Sequence, residues 1–544
     1  MSESKYPNGL FFLVFTEFWE RFGYYLMIGI FMLYMTADES KGGFGWDNAK
    51  GADVYGTFIA LVFLTPFMGG LLADLKLGYR FSISLGGILM GIGYCLLAVH
   101  SELTFYIALA TMIVGNGFFK PNISALLGNL FNDPRYRDKK DTGYNLFYMG
   151  INLGAFVCTF VAAVMRNKIG WGAAFISAGV GMFIGVITFW LGMKHYKHVD
   201  IRKEPNVEDK ALLLKFVKVL AVGLVFAVVG WMFPNTVMGS DSTDAFFMFC
   251  IPVIYFYASI FIKANTEERK PLGTMFTIFI IVILFWAIFK QNGSALTNYA
   301  EFYTDREVPT AIAPATRLLG FSDEIVAESK SVNQLDEQFR RMKDYKGEPL
   351  KCMDYPPYFK NLDADRYPAP NGKLDLLNTE IFQSINPFFV IALTPVIIAF
   401  FAFMRRRAKE PTTASKIALG LLISSLSTLV MVGAVYYSNN GMNKASAWWL
   451  ISAYGVVTIG ELLLSPMGLS MVSKLSPVRL TALMMGGWYL STSIGNKLSG
   501  VLAKNWDRFD NKANYFLLNF ILLLIAFIIM VLLLKRLNRV FKTE

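Results

Sequence analysis

Thr16-Glu17-Phe18-Trp19-Glu20-Arg21-Phe22-Gly23-Tyr24-Tyr25 lies inside an apolar run that begins near Gly9 and resumes from Leu26 to Met35. A run of that length crosses a bilayer as one helix. Glu17, Glu20 and Arg21 then sit near the depth where charge costs most, roughly 2.5–3.5 kcal/mol each on insertion scales. Glu17, Glu20, Arg21 and Tyr24 fall at i, i+3, i+4 and i+7, on one helical face. Such a face cannot point at lipid. It lines a polar cavity between helices, where carboxylates bind and release protons. A single ion pair joining two helices would leave the third charge and Tyr24 and Tyr25 unexplained.

The remainder of the chain has the same character. It is 54% hydrophobic and 17% charged, against about 25% charged in ordinary globular proteins. Apolar runs of about twenty residues recur along nearly its whole length, which makes it an all-α polytopic membrane protein. The net charge of +11 needs no nucleic acid, because lysine and arginine in cytoplasmic loops produce it. Cys95, Cys158 and Cys250 lie in apolar runs and Cys352 stands alone, so neither a disulfide framework nor a zinc spacing is present. His100, His195 and His198 fall at span ends, which argues against a histidine relay. Without paired histidines or a nucleophile elbow the chain does not read as an enzyme, and no cofactor or metal is expected. Eight residues precede the first span with no small-residue cleavage site, so no signal peptide is expected.

Spans are predicted at 9–35, 52–74, 79–99, 102–131, 142–165, 170–193, 212–232, 246–263, 271–299, 380–404, 414–437, 446–473, 479–503 and 513–535. That makes about fourteen helices. The expected organisation is a six-helix bundle over 1–194, a linker with two extra helices over 195–270, and a second six-helix bundle over 271–544. Arg135, Arg137, Lys139, Lys140, Arg405–Arg407 and Lys535–Arg539 gather on one side, whereas Asp241 and Asp244 have no cation beside them. The positive-inside rule places both termini in the cytoplasm. The polar segment 300–379 then lies outside, as a cap with no part in transport, and Asp323–Arg341 is expected to form a short amphipathic helix.

Further polar residues interrupt the apolar runs. Lys120 precedes Pro121 near mid-span, and a buried lysine needs a carboxylate partner such as Glu17 or Glu20. Asn152 offers both donor and acceptor inside the membrane, as a ligand for a backbone would, while Gly150 and Gly154 at i, i+4 equally fit a tight helix contact. Glu461 is the only carboxylate of a long apolar helix, placed to take an amino group. Trp488 and Tyr489 offer a side-chain pocket.

These stretches resemble the proton-dependent oligopeptide transporters, a branch of the major facilitator superfamily. The first motif is similar to the family's E-x-x-E-R-F-x-Y-Y-G, with Leu26 for the last glycine. Gly117–Ser124 matches G-x-x-K-P-N-[IV]-S, and Phe147–Gly154 matches F-Y-x-x-I-N-x-G. Phe382–Pro387 matches F-Q-S-x-N-P, and Gly460–Pro466 matches G-E-x-x-x-S-P. The turn Gly69–Arg80, with Asp74, resembles the superfamily's G-x-L-A-D-x-x-x-G-x-[RK] loop, a structural gate element.

The resemblance implies the major facilitator fold, two six-helix bundles plus an inserted pair, and a monomeric proton-coupled symporter of di- and tripeptides in a plasma membrane, the bacterial inner membrane. It implies proton coupling by Glu17, Glu20, Arg21 and Lys120, with Glu20 first and Glu17 next. It implies peptide contacts from Tyr24, Tyr25, Lys120, Asn152, Asn386, Glu461 and Ser465, with Pro387 a hinge or kink. Ile28, Gly56 and Phe63 stand where relatives carry other residues, and Lys290 stands where they carry an acid. Lys290 is therefore expected either to hold the substrate's carboxyl end, opposite Glu461, or merely to pair with a carboxylate such as Glu461. The alternative is a family member that moves nitrate, another small anion or an amino acid.

Overall fold

Seventeen α-helices carry the fold among the residues described in the computed structural model, which are 6–73, 77–131, 133–136, 140–200, 207–233, 237–345, 349–476 and 480–542. They are α1 (Gly9–Thr36), α2 (Asn48–Leu64), α3 (Pro66–Leu72), α4 (Tyr79–Leu96), α5 (Glu102–Leu130), α6 (Lys140–Lys168) and α7 (Trp171–Gly192). Next come α8 (Val207–Trp231), α9 (Asp241–Lys263), α10 (Thr266–Phe289), α11 (Ala295–Phe302) and α12 (Ala313–Leu318). The last five are α13 (Ile385–Arg406), α14 (Thr413–Tyr437), α15 (Ala447–Leu475), α16 (Thr481–Lys504) and α17 (Lys512–Lys542). Among the described residues eleven spans are long and apolar enough to cross a membrane. That is three fewer than the fourteen expected: among the described residues α1 and α16 are not on this count, and α8 contributes only the shorter apolar stretch Val217–Trp231. Lipid offers no hydrogen bonds, so each span must satisfy its own backbone as helix.

Where α2 breaks, a side chain covers the exposed backbone. Pro66 separates α2 from α3, and the Val62 carbonyl that it leaves without an intrahelical donor accepts from Asn116 Nδ2 of α5 at 2.8 Å. Pro121 stays inside α5 although it lacks an N–H, and Asn122 Nδ2 donates to the carbonyls of Phe118 (2.7 Å) and Gly69 (3.3 Å). Pro387 is no hinge: it occupies the first turn of α13, where a missing N–H costs nothing. Asp241 and Asp244 form the first turn of α9, which Ser240 caps, rather than a loop.

One set of helices packs α1 against α6 and α7, and α4 against α5 and α7. A Cβ on Gly154 would lie 2.5 Å from the Phe18 carbonyl, so this glycine permits the tight contact of α6 with α1. A second set packs α14 against α15 and α17, and α10 against α16. Helices α8 and α9 pack on each other, and α9 also meets α2, α10 and α16. The two sets meet along α2 and α16.

The polar segment is a folded unit, not a helix in its middle. Strand β1 (Thr304–Asp305) pairs with β6 (Ala445–Ser446), β2 (Ser322–Val326) with β5 (Lys373–Leu377), and β3 (Lys330–Asn333) with β4 (Lys351–Asp354). Ala327, Tyr358, Phe359, Leu362 and Leu376 form its own core. The helix expected over Asp323–Arg341 is thus replaced by two strands and a turn, and Phe339 at φ +61° could not sit in a helix. Asp74, expected in a gate loop, and Arg137 and Lys139 lie outside the described residues.

Candidate functional site

The α1 face carries its charges as one buried group. Glu17, Glu20 and Arg21 are 3%, 0% and 4% exposed. Arg21 donates from Nε and from one terminal nitrogen to the two oxygens of Glu20, a fork on a carboxylate. Glu17 approaches Arg21 Nε at 3.5 Å, and its other oxygen is buried without a hydrogen-bond partner among the described residues. The Arg21 guanidinium also lies 5.1 Å from the centre of the Tyr24 ring. The two glutamates are therefore unequal: one is fully occupied and the other is not.

Lys120 and Lys290 converge on one aromatic ring. Lys120 Nζ is 4.3 Å and Lys290 Nζ 5.4 Å from the centre of Phe63, with Trp286 and Phe289 also around Lys290. Aromatic faces attract a cation but neutralise no charge. Lys120 is in electrostatic reach of Glu17, Glu20, Arg21 and Lys290, and Lys290 of Glu461 and Arg21. Neither lysine forms an ion pair within 4 Å among the described residues. Glu461 accepts a hydrogen bond from Asn386 Nδ2 at 3.0 Å, and the same amide donates to Thr458 Oγ1 at 2.8 Å. One cluster therefore joins α1, α5, α10, α13 and α15.

Other expected residues divide into those at the cluster and those away from it. Tyr25 is in reach of Arg21, Glu20 and Glu461, and Tyr489 of Arg21 and Glu17. Asn152 Nδ2 donates to the Tyr148 carbonyl of its own helix at 2.8 Å, and Tyr148 is in reach of Glu461 and Tyr25. The Ser465 hydroxyl is buried without a hydrogen-bond partner among the described residues. Trp488 is not a pocket wall: at 3% exposure it fills the space between Phe279 of α10 and Gly468 of α15. Its large apolar surface is spent on packing.

Sequence reasoning missed the closure beside this cluster. Lys497, 0% exposed on α16, reaches Asp53 of α2 at 2.9 Å and Thr57 at 2.6 Å. Gly56 approaches Gly500 so closely that a Cβ would lie 2.7 Å from its Cα. Asn298 Nδ2 donates to Asn48 at 3.1 Å. These contacts seal the two helix sets on the face that carries the folded polar segment. A lone lysine within an apolar span was the available signal for Lys497.

The model of the POT family matches residues 80–316 and 371–519. A di-/tripeptide transporter of Lactococcus lactis subsp. lactis (strain IL1403) is 28% identical over 506 residues, 91% of this chain and 88% of the relative. Dipeptide and tripeptide permease A of Escherichia coli (strain K12) is 28% identical over 505 residues, 92% and 84% of the two chains. A crystal structure of a peptide transporter POT in complex with sulfate superposes with a TM-score of 0.74 at 28% identity, covering 98% of this chain and 96% of that one.

Proposed function

The chain belongs to the POT family, and we propose that it is a proton-coupled symporter that imports di- and tripeptides by alternating access. The observation that carries this reading is the buried cluster of three cations and three carboxylates, Arg21, Lys120 and Lys290 with Glu17, Glu20 and Glu461. A zwitterion needs a cation for one end and an anion for the other. Among the described residues Lys120 and Lys290 have no paired anion, so they are free to take the carboxyl end. Glu461, held by Asn386, takes the amino end. Tyr25, Asn152, Ser465 and Tyr489 border the peptide between them, and Tyr24 supports Arg21.

Proton coupling falls to Glu17 in this arrangement, because its unpartnered oxygen can accept a proton without breaking the Glu20–Arg21 fork. A proton there removes one anion from the reach of Arg21 and Lys120, and Lys120 then turns to the substrate. Inward proton movement draws roughly 2.3 kcal/mol per charge per 100 mV from the membrane potential. The division into bundles 1–194 and 271–544, with 195–270 as a linker, supplies the two bodies that rock about the midplane site. We place the monomer in a bacterial inner membrane, with termini cytoplasmic and the polar segment outside. The unpaired Lys120 and Lys290 also favour a second reading, a carrier of nitrate or another small anion. Uptake into proteoliposomes under an imposed pH gradient, with dipeptide, nitrate and amino acid in competition, separates them. The peptide reading expects dipeptide accumulation that nitrate and free amino acid leave unchanged, and nitrate accumulation would overturn it.

A further inference from the structure

Between the folded polar segment and the ends of both helix sets lies a cavity of about 610 Å³, within the roughly 300–1,000 Å³ that small-molecule sites occupy. It is distinct from the central cluster. Leu33 and Thr36 of α1 line it, and Leu33 lies eight residues beyond Tyr25, about 12 Å along the helix. Asn298, part of the closure with Asn48, also lines it, so the cavity sits on the far side of the seal from the cluster.

The walls carry charge of both signs in a form open to a ligand. Asp323 is 48% exposed, with its nearest cation, Arg166, 4.0 Å away. Glu301, which pairs with Arg306, is still 36% exposed. Lys41 is exposed and forms no ion pair within 4 Å among the described residues. Arg306, 8% exposed, is held in the wall by the Leu377 carbonyl at 2.8 Å and by Glu301 at 3.2 Å. Trp171 and Tyr358 add aromatic wall. Carboxylates, cations and apolar surface around one chamber are the recognition set of a short zwitterionic peptide.

We propose that this cavity is a second, outer peptide site, a vestibule that holds a di- or tripeptide while the seal beneath it is closed. Asp323 takes the ammonium and Lys41 takes the carboxylate, while Arg306, whose terminal nitrogens hold the Leu377 carbonyl and Glu301, fixes the wall. Opening of the seal then passes the peptide from the vestibule to Lys120, Lys290 and Glu461. The family model does not match residues 317–370, so the lid of the vestibule belongs to the part of this chain outside the family pattern. The proposal rests on the peptide-transport reading for its substrate, but its test reads binding directly.

The test is photolabelling of the full chain with a dipeptide of alanine and benzoylphenylalanine, followed by fragment mapping. The expected label falls on fragments of 300–379 or 160–171, is competed by excess dialanine, and disappears in Lys41→Gln and in Asp323→Asn. Both residues are exposed, so neither change threatens folding. In proteoliposomes the same variants should raise KM for dialanine about five- to tenfold, with kcat unchanged. Label confined to fragments outside 300–379 and 160–171, label that dialanine does not compete, or KM unchanged in both variants overturns the vestibule. Wild-type protein that takes up no dipeptide overturns the transport reading instead, while the labelling still decides the vestibule.

Discussion

Glu17 and Glu20 stand three residues apart on one face, yet only Glu20 receives two donors from Arg21. Glu17→Gln should therefore abolish pH-gradient-driven uptake and spare peptide counterflow, which needs no net proton movement. Glu20→Gln should reduce both, because a buried cation that loses its partner costs about 3–5 kcal/mol. Equal behaviour of the two variants in counterflow would contradict this division. Lys290 makes the second residue-scale prediction: wild type should favour a dipeptide over its C-terminal amide by roughly ten- to a hundredfold, a charge-assisted contact. Lys290→Gln should nearly erase that preference, and a variant that keeps it would return the role to Lys120. The charged face of α1, Lys120 and Glu461 were legible in the sequence, because charge inside an apolar run has few explanations. The inequality of Glu17 and Glu20 was not, since it depends on where the guanidinium of Arg21 turns. Nor was Trp488, because an aromatic residue gives the same signal in a pocket as in a core.

At the scale of elements, the crossing of α2 and α16 carries the seal. Gly56 meets Gly500 backbone to backbone, and any side chain at 56 must push the helices apart. Gly56→Leu should hold this face open and lower uptake at least tenfold while the protein still elutes as a single species, since overpacking here costs on the order of 1–3 kcal/mol. Normal uptake by that variant would show that the crossing does not need to close. Span positions were readable because lipid leaves helix as the only option, whereas the crossing glycines look like any other glycine in a span. The segment Asp323–Arg341 misled for a physical reason: its charges recur at helical spacing, but β5, some fifty residues later, supplies β2 with a partner. Long-range strand pairing leaves no local trace.

For the whole molecule, the polar segment ties the two helix sets together rather than floating above them. Arg340 reaches Asp510 at 2.9 Å and the Asp507 carbonyl at 3.0 Å. The adjacent Arg341 reaches the Gly45 carbonyl at 2.6 Å, the Thr36 carbonyl, and Asp38 at 3.2 Å. Neighbouring arginines thus grip opposite halves. Arg341→Ala should favour the state open on this face, seen as faster reaction of a thiol placed at Asn298; an unchanged rate would mean the grip has no bearing on opening. Burial alone would raise the Asp336 carboxyl, but hydrogen bonds from the Arg340 side chain and from the Arg340 and Gln338 backbone outweigh it and hold it below its usual value. Its contribution is present above the unfolded carboxyl value and is lost as pH falls through the lower folded one. Hydrogen-exchange protection of the segment should therefore persist at mildly acid pH and fail only below about 4.

Symport itself is read most directly as proton movement caused by substrate. Proteoliposomes containing a trapped pH indicator, with no initial pH gradient and the potential clamped, would receive dialanine on the outside. Inward co-movement predicts that the lumen acidifies with dialanine, that it does not with dialanine amide at the same concentration, and that Glu17→Gln abolishes the signal. Dipeptide entry without any acidification of the lumen would contradict the account at its centre.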